Sequence, residues 1–179
     1  VPHDYTLSFT KANVYALALV IPIFLLYLVP YGLVYGWETS LYDLFAFFEN
    51  IPLLLGSFIL GTVIHELIHA ICWVWLDGTP WSTIHFGFKW STLTPYVHCP
   101  QPIEVNNYRW GVVMPGIILG FLPYLAALIL QNGWLLGFGL FFTLAAGGDL
   151  LILWLLRKAE PGTLVQDHSD LVGCIIWDS

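Results

Sequence analysis

Four stretches of this chain are almost wholly apolar, and the polar residues gather between them. A helix that crosses a bilayer needs about 20 consecutive apolar residues. The stretches at 13–35, 51–76, 110–130 and 134–156 each meet that length. Pro22, Pro30, Pro115 and Pro123 fall inside them, and membrane helices tolerate such prolines. The pattern predicts an all-α integral membrane bundle of about four transmembrane helices, forming a single domain over 1–179. The segment 77–109 departs from this pattern. Its stretch Ile84-His85-Phe86-Gly87-Phe88-Lys89-Trp90 alternates in the period of a strand. Leu93 to Cys99 can pair with it after a turn near Ser91-Thr92. Pro95 marks that second strand as irregular or at an edge. A small β-hairpin at the cytoplasmic membrane surface is therefore expected. The tail, 159–179, begins polar and ends in a short apolar run, so it adds one more strand or packs on the domain.

Composition narrows the class. The chain is 58% hydrophobic and 9% charged, with a mean hydropathy of +0.77, whereas soluble domains carry about 25% charged residues. Five scattered Lys and Arg make no basic patch, so nucleic acid is not an expected partner despite a net charge of -7. Cys72, Cys99 and Cys174 are too widely spaced to suggest a disulfide framework. VPHDYTLSFTK lacks the basic start and short apolar core of a signal peptide. Lys11, Lys89, Arg109, Arg157 and Lys158 all fall on one side of the expected bundle, and 36–50 carries only acidic charge. By the positive-inside rule both termini and the 77–109 loop are cytoplasmic.

Chemistry enters at His65-Glu66-Leu67-Ile68-His69, in the second span. His65 and His69 are four apart, so both imidazoles leave one helix face and can converge on one ion. Zinc takes imidazole nitrogens at about 2.0–2.1 Å. Glu66 reaches water on the same ion and serves as general base. A chance HExxH in this composition has odds on the order of one in two hundred. The plainer alternative is two helix histidines bonded to neighbours. In a membrane span, however, ionisable residues are costly and usually functional.

A catalytic zinc usually has three protein ligands. The other deep ionisable residue is Asp149, in the fourth span. A carboxylate near mid-membrane costs about 2.5–3.5 kcal/mol, which a cation would offset. His65 lies about 21 Å past Ile51 along a helix and Asp149 about 22 Å past Trp134, so the two share a depth. Gly147, Gly148, Ala145 and Ala146 offer a small-residue surface for close helix approach; Gly116 and Gly120 make a GxxxG that packing alone explains. Cys72 shares the face of the histidines but lies about 7–8 Å too far along the axis; it reads as a packed thiol. Asp77 reads as a helix exit, about 12 Å past His69. His85, His98 and Cys99 read as surface groups, His98-Cys99 being at most a fragment of a second metal site. Asp167-His168 reads as loop chemistry.

These segments resemble a known class. HELIHA (65–70), the loop 85–111, VMPGIILGFLP (113–123), GGDLLILW (147–154) and DHSDLVGC (167–174) together resemble a bacterial family of zincin peptidases labelled as a domain of unknown function. An HExxH in one span and an Asp in a later one also resemble the site-2 protease group of intramembrane zinc metalloproteases. The resemblance implies membrane helices around a buried Zn2+, with His65, His69 and Asp149 as ligands and Glu66 as catalytic base. It further implies a transmembrane or membrane-associated protein substrate and a bacterial cytoplasmic membrane location. Where better-studied site-2 proteases have Asn-Pro-Asp-Gly or Leu-Asp-Gly around the Asp, this chain has Gly-Gly-Asp-Leu.

The expected function is thus a zinc metallopeptidase of the membrane, whose 83–98 hairpin holds an unwound substrate segment by strand addition. Two rivals remain: an inactive membrane scaffold of the same fold, for which a general base has no use, and a proton- or metal-conducting protein, for which four short spans without a repeat are lean.

Overall fold

The computed structural model describes residues 2–90, 94–168 and 171–177. The elements run β1 (Pro2–Leu7), α1 (Phe9–Tyr35), α2 (Trp37–Ala46), α3 (Ile51–Asp77), β2 (His85–Lys89), β3 (Thr94–His98), β4 (Ile103–Glu104), α4 (Val105–Pro115), α5 (Leu122–Leu130), α6 (Gly133–Ala145), α7 (Gly147–Leu155), β5 (Leu164–Asp167) and β6 (Val172–Trp177). A π-helical stretch, Gly116–Phe121, joins α4 to α5. Three helical runs are long and apolar enough to cross a membrane, Val14–Tyr35, Ile51–Asp77 and Val105–Leu130; α6 with α7 makes a fourth if counted as one broken span.

Local chemistry sets the boundaries. Gly36, at φ 87°, separates α1 from α2. Asn50 Oδ1 accepts the Leu53 N–H at 3.0 Å and Asn132 Oδ1 the Leu135 N–H at 2.9 Å, capping α3 and α6. Gly78, at φ 73°, ends α3 directly after Asp77.

Two expectations need correction. The fourth apolar stretch is not one helix: it breaks at Ala146, which puts Asp149 in the first turn of α7. Nor is the hairpin the whole β content. A four-stranded antiparallel sheet, ordered β1-β6-β5-β4, joins the two ends of the chain. The tail contributes two strands and residues 2–7 a third. The hairpin itself forms, pairing His85 with His98 and Phe86 with Val97; its expected turn at Ser91-Thr92 lies outside the described residues.

The chain divides into two compact units. The first comprises 1–15, 62–115 and 148–179. Its core sets Ile103, Val165 and Ile176, cross-strand neighbours in one sheet, against Trp73 of α3, Tyr108 and Val112 of α4, and Leu156. The second comprises 16–61 and 116–147 and has its own core of Ile23, Tyr27, Tyr31, Tyr124, Ala127, Leu136 and Leu140. There a Cβ on Gly120 would come within 2.2 Å of Thr143 Oγ1, so glycine permits the close approach of α6. Packing accounts for this half of the GxxxG.

Candidate metal centre

The first unit holds every residue singled out for chemistry. His65 and His69, four apart on α3, project together, and their Nε2 atoms lie 3.2 Å apart. Asp149 of α7 brings Oδ2 to 3.1 Å from His65 Nε2 and Oδ1 to 3.6 Å from His69 Nε2. Among the described residues this is the one group of three or more His, Cys, Asp or Glu close enough to hold an ion. Both histidines are buried.

The donor set fits a zinc ion on three counts. Tetrahedral coordination at about 2.0–2.2 Å places neighbouring ligand atoms about 3.3–3.5 Å apart, and the three separations straddle that range. Asp149 Oδ2 is buried with only the ring nitrogen of His65 beside it; a buried carboxylate oxygen so poorly supplied with donors is expensive. Finally, His69 Nδ1 lies 2.8 Å from the Gly111 carbonyl. That carbonyl accepts only from a protonated Nδ1, which leaves the Nε2 lone pair directed at the cluster. Asp149 also gains from the positive end of α7, in whose first turn it stands.

Neighbours on α3 and α4 hold this arrangement. Trp73 stacks on His69 at 5.7 Å and on Tyr108 at 5.6 Å, making a three-ring column from α3 to α4. A Cβ on Gly111 would fall 2.1 Å from Trp73 Nε1, so only glycine lets α4 bring its carbonyl to His69. Arg109 donates to the Leu156 carbonyl at 2.5 Å and the Ala159 carbonyl at 2.7 Å, tying α4 to the end of the α7 segment.

Glu66, one residue along from His65, faces strand β3: the Val97 backbone N–H is directed to its carboxylate. The Cys99 N–H, two residues on, donates to Asp167 Oδ2 at 3.0 Å. Strand N–H groups two residues apart leave by the same edge, so both donors on the outer edge of β3 meet carboxylates. Pro95, which has no N–H, occupies the preceding outward position. That edge keeps its outward carbonyls.

The remaining candidates separate from the site. Cys72 is a free thiol and no member of the ligand group. Asp77 accepts from the Glu104 N–H at 3.2 Å and from Asn107 Nδ2 at 3.0 Å, fixing the start of α4. His85 pairs across the hairpin with His98. Cys99 is buried, and burial raises its thiol pKa; with His98 it forms no metal group among the described residues. Asp167 is not a loop residue but a mostly buried carboxylate on β5, bonded by the Tyr108 hydroxyl and the Cys99 N–H, with His98 Nδ1 at 3.7 Å. Sequence reasoning missed Gly111, Trp73, Tyr108, Val97 and Asp167. The one signal was that the segments carrying Gly111, Tyr108, Val97 and Asp167 stood among those quoted for the family resemblance.

No curated protein and no solved structure matches the chain. A family model described as "Putative zincin peptidase" matches residues 58–164, well over half of the chain, and takes in both histidines, Glu66, Gly111 and Asp149. The description suggests zinc and peptide hydrolysis at a coarse level, in keeping with the donor set found here. By that match, the chain belongs to the zincin peptidase family.

Proposed function

We propose that this protein is an integral membrane zinc metallopeptidase that cleaves membrane-associated protein substrates. The observation that carries the reading is the convergence of His65, His69 and Asp149, whose ligand atoms all face one another in a buried cluster. His65, His69 and Asp149 would hold the ion. Zinc bound there supplies a Lewis acid that acidifies water and polarises a carbonyl. Glu66 accepts the proton of the attacking water and returns it to the departing amine nitrogen as the peptide bond breaks. The Val97 N–H of β3 faces this carboxylate. His69 keeps its tautomer through the Gly111 carbonyl.

Membrane embedding is supported by the apolar surface. In the three long spans only 17–33% of the most apolar window is buried within the protein. Leu17, Ile21 and Leu33 are each at least 70% exposed. Each such side chain favours lipid over water by about 1.5–3 kcal/mol. With the positive charges on one side, both termini and the hairpin belong in the cytoplasm.

A substrate helix must unwind to present a carbonyl. An unwound segment beside β3 can donate to the outward carbonyls of Pro95 and Val97, but it receives little from that edge, whose N–H groups face Glu66 and Asp167. Pairing along β2 instead would leave the peptide about 5 Å farther from Glu66. Strand addition thus enters in its acceptor half at β3.

The test is zinc per mole of detergent-purified protein, by elemental mass spectrometry, in wild type, Glu66→Gln and Asp149→Ala. The expected result is about one zinc in the first two and far less in the third. A well-folded wild type that takes up no zinc without chelator present sinks the reading.

A further inference from the structure

The Asp167 carboxylate lies just beyond the segment that the family model matches, and the reaction above makes no use of it. It is a mostly buried carboxylate that joins three other segments of the first unit. Its Oδ2 accepts from the Cys99 N–H at 3.0 Å and its Oδ1 from the Tyr108 hydroxyl; His98 Nδ1 stands 3.7 Å from Oδ2. The Cys99 N–H can only donate to it, and the Tyr108 hydroxyl is directed to it as a donor.

These partners belong to the two elements that face the metal cluster. His98 ends strand β3 and Cys99 follows it; within the strand the Val97 N–H faces Glu66. Tyr108 lies on α4, stacks on Trp73 and through it on His69; three residues on, the Gly111 carbonyl holds His69 Nδ1. β3 has one ladder partner, β2, and its outer edge would be free without the two carboxylates. Asp167 itself is fixed in β5, opposite Cys174 of β6, within the four-stranded sheet.

We infer that Asp167 is a positioning residue of the metal centre: one mostly buried carboxylate ties strand β3, which faces Glu66, to helix α4, which orients His69. The C-terminal strands are then part of the active apparatus. This rests on the metallopeptidase reading for its purpose, but its physical content is separate: loss of the carboxylate loosens β3 locally and weakens zinc binding at a distance. Burial pushes the Asp167 carboxyl pKa up, against the opposing pull of the Cys99 N–H, the Tyr108 hydroxyl and His98. Those contacts are therefore what keep the group useful as an acceptor.

The experiment uses the full chain in lipid nanodiscs. Hydrogen exchange is followed in peptides covering 94–99 and 122–130, and zinc affinity is measured by competition with a chelating dye. Asp167→Ala, Asp167→Asn and Tyr108→Phe are compared with wild type. For Asp167→Ala the inference predicts exchange at least about ten-fold faster in 94–99, unchanged exchange in 122–130, and zinc bound about 10–100-fold more weakly, the usual scale for lost outer-shell support. Asp167→Asn should recover part of both losses. Tyr108→Phe keeps the ring column and should weaken zinc by less, in the same direction; it carries the test if Asp167→Ala does not fold. Faster hairpin exchange with unchanged zinc affinity would overturn the inference, since Asp167 would then serve the hairpin alone. Equal loss of protection in both peptides would overturn it too, as general destabilisation. A wild type without zinc sinks the metallopeptidase reading instead; unaltered 94–99 exchange in Asp167→Ala sinks this one.

Discussion

The tyrosine hydroxyls of the second unit and the metal-site cluster of the first are two different ways of burying polar groups. In the second, each buried or half-buried tyrosine hydroxyl has its own partner. Tyr31 donates to Asp43 at 2.7 Å, Tyr27 meets Thr143, Tyr35 donates to the Leu128 carbonyl and Tyr124 to the Leu26 carbonyl. In the first, three potential ligand groups crowd together and one oxygen has only the ring nitrogen of His65 beside it. Desolvating a polar group costs unless it is paired. Paired groups need no further explanation than packing, whereas groups that converge and stay short of donors mark a place for a ligand. The tyrosines of the second unit thus serve structure, and the His65, His69 and Asp149 cluster of the first is the place for a ligand.

The largest expected effect breaks the first unit's arrangement directly. Glu66→Gln keeps the ligands and removes the base, so turnover should fall by about 10²–10⁴-fold with zinc content unchanged, as read from single-turnover cleavage of a reconstituted substrate. Equal loss of zinc would mean that Glu66 is a ligand or a structural group. Next is Gly111→Ala. Its Cβ cannot coexist with the Trp73 indole at 2.1 Å, so α4 must shift and draw its carbonyl from His69. Overpacking of this kind costs about 1–3 kcal/mol, and loss of the His69 partner about 10–100-fold in zinc affinity. Calorimetric melting and chelator competition read the two effects separately.

Much of this site was legible before any coordinates. The i,i+4 histidines need only helical geometry, and Asp149 stood out because a lone carboxylate in an apolar run has few other uses. The three long apolar helices and the hairpin followed from period and length. What stayed hidden depends on long-range pairing. Residues 2–7 and 172–177 form adjacent strands, but six-residue strands at opposite ends of a chain carry no local sign of each other. Asp167 looked like a loop residue because its partners, Cys99 and Tyr108, come from other segments. The Gly111 carbonyl is a backbone atom and has no letter of its own; only the missing side chain hints at it. The break at Ala146 hid within a run that is apolar on both sides.

A smaller effect sharpens the contrast from the other unit. Tyr31→Phe leaves Asp43 without its hydroxyl donor and should cost about 1.5–3 kcal/mol, the range for a hydrogen bond to a charged group. Melting temperature should fall while zinc affinity stays at the wild-type value. A change in zinc affinity would contradict the division of labour between the units.

The smallest effect concerns pH. Burial alone would raise the Glu104 pKa, but the N–H groups of Gly162, Asn107 and Asn106 outweigh it and hold the carboxyl below its ordinary 4.5. A depressed folded-state pKa contributes stability above the unfolded value and loses it as pH falls through the folded one. Acid unfolding should therefore steepen slightly below pH 4.5, and Glu104→Gln should remove that increment while leaving metal binding alone. Glu104 is largely solvated, so screening keeps the effect small.

X-ray absorption at the zinc edge of the loaded protein addresses the ligand set most directly. The account predicts a first shell of nitrogen and oxygen at about 2.0–2.2 Å, with the multiple-scattering signature of two imidazoles and no sulfur. A sulfur shell at about 2.3 Å would bring Cys72 into the site and contradict the His65, His69 and Asp149 assignment.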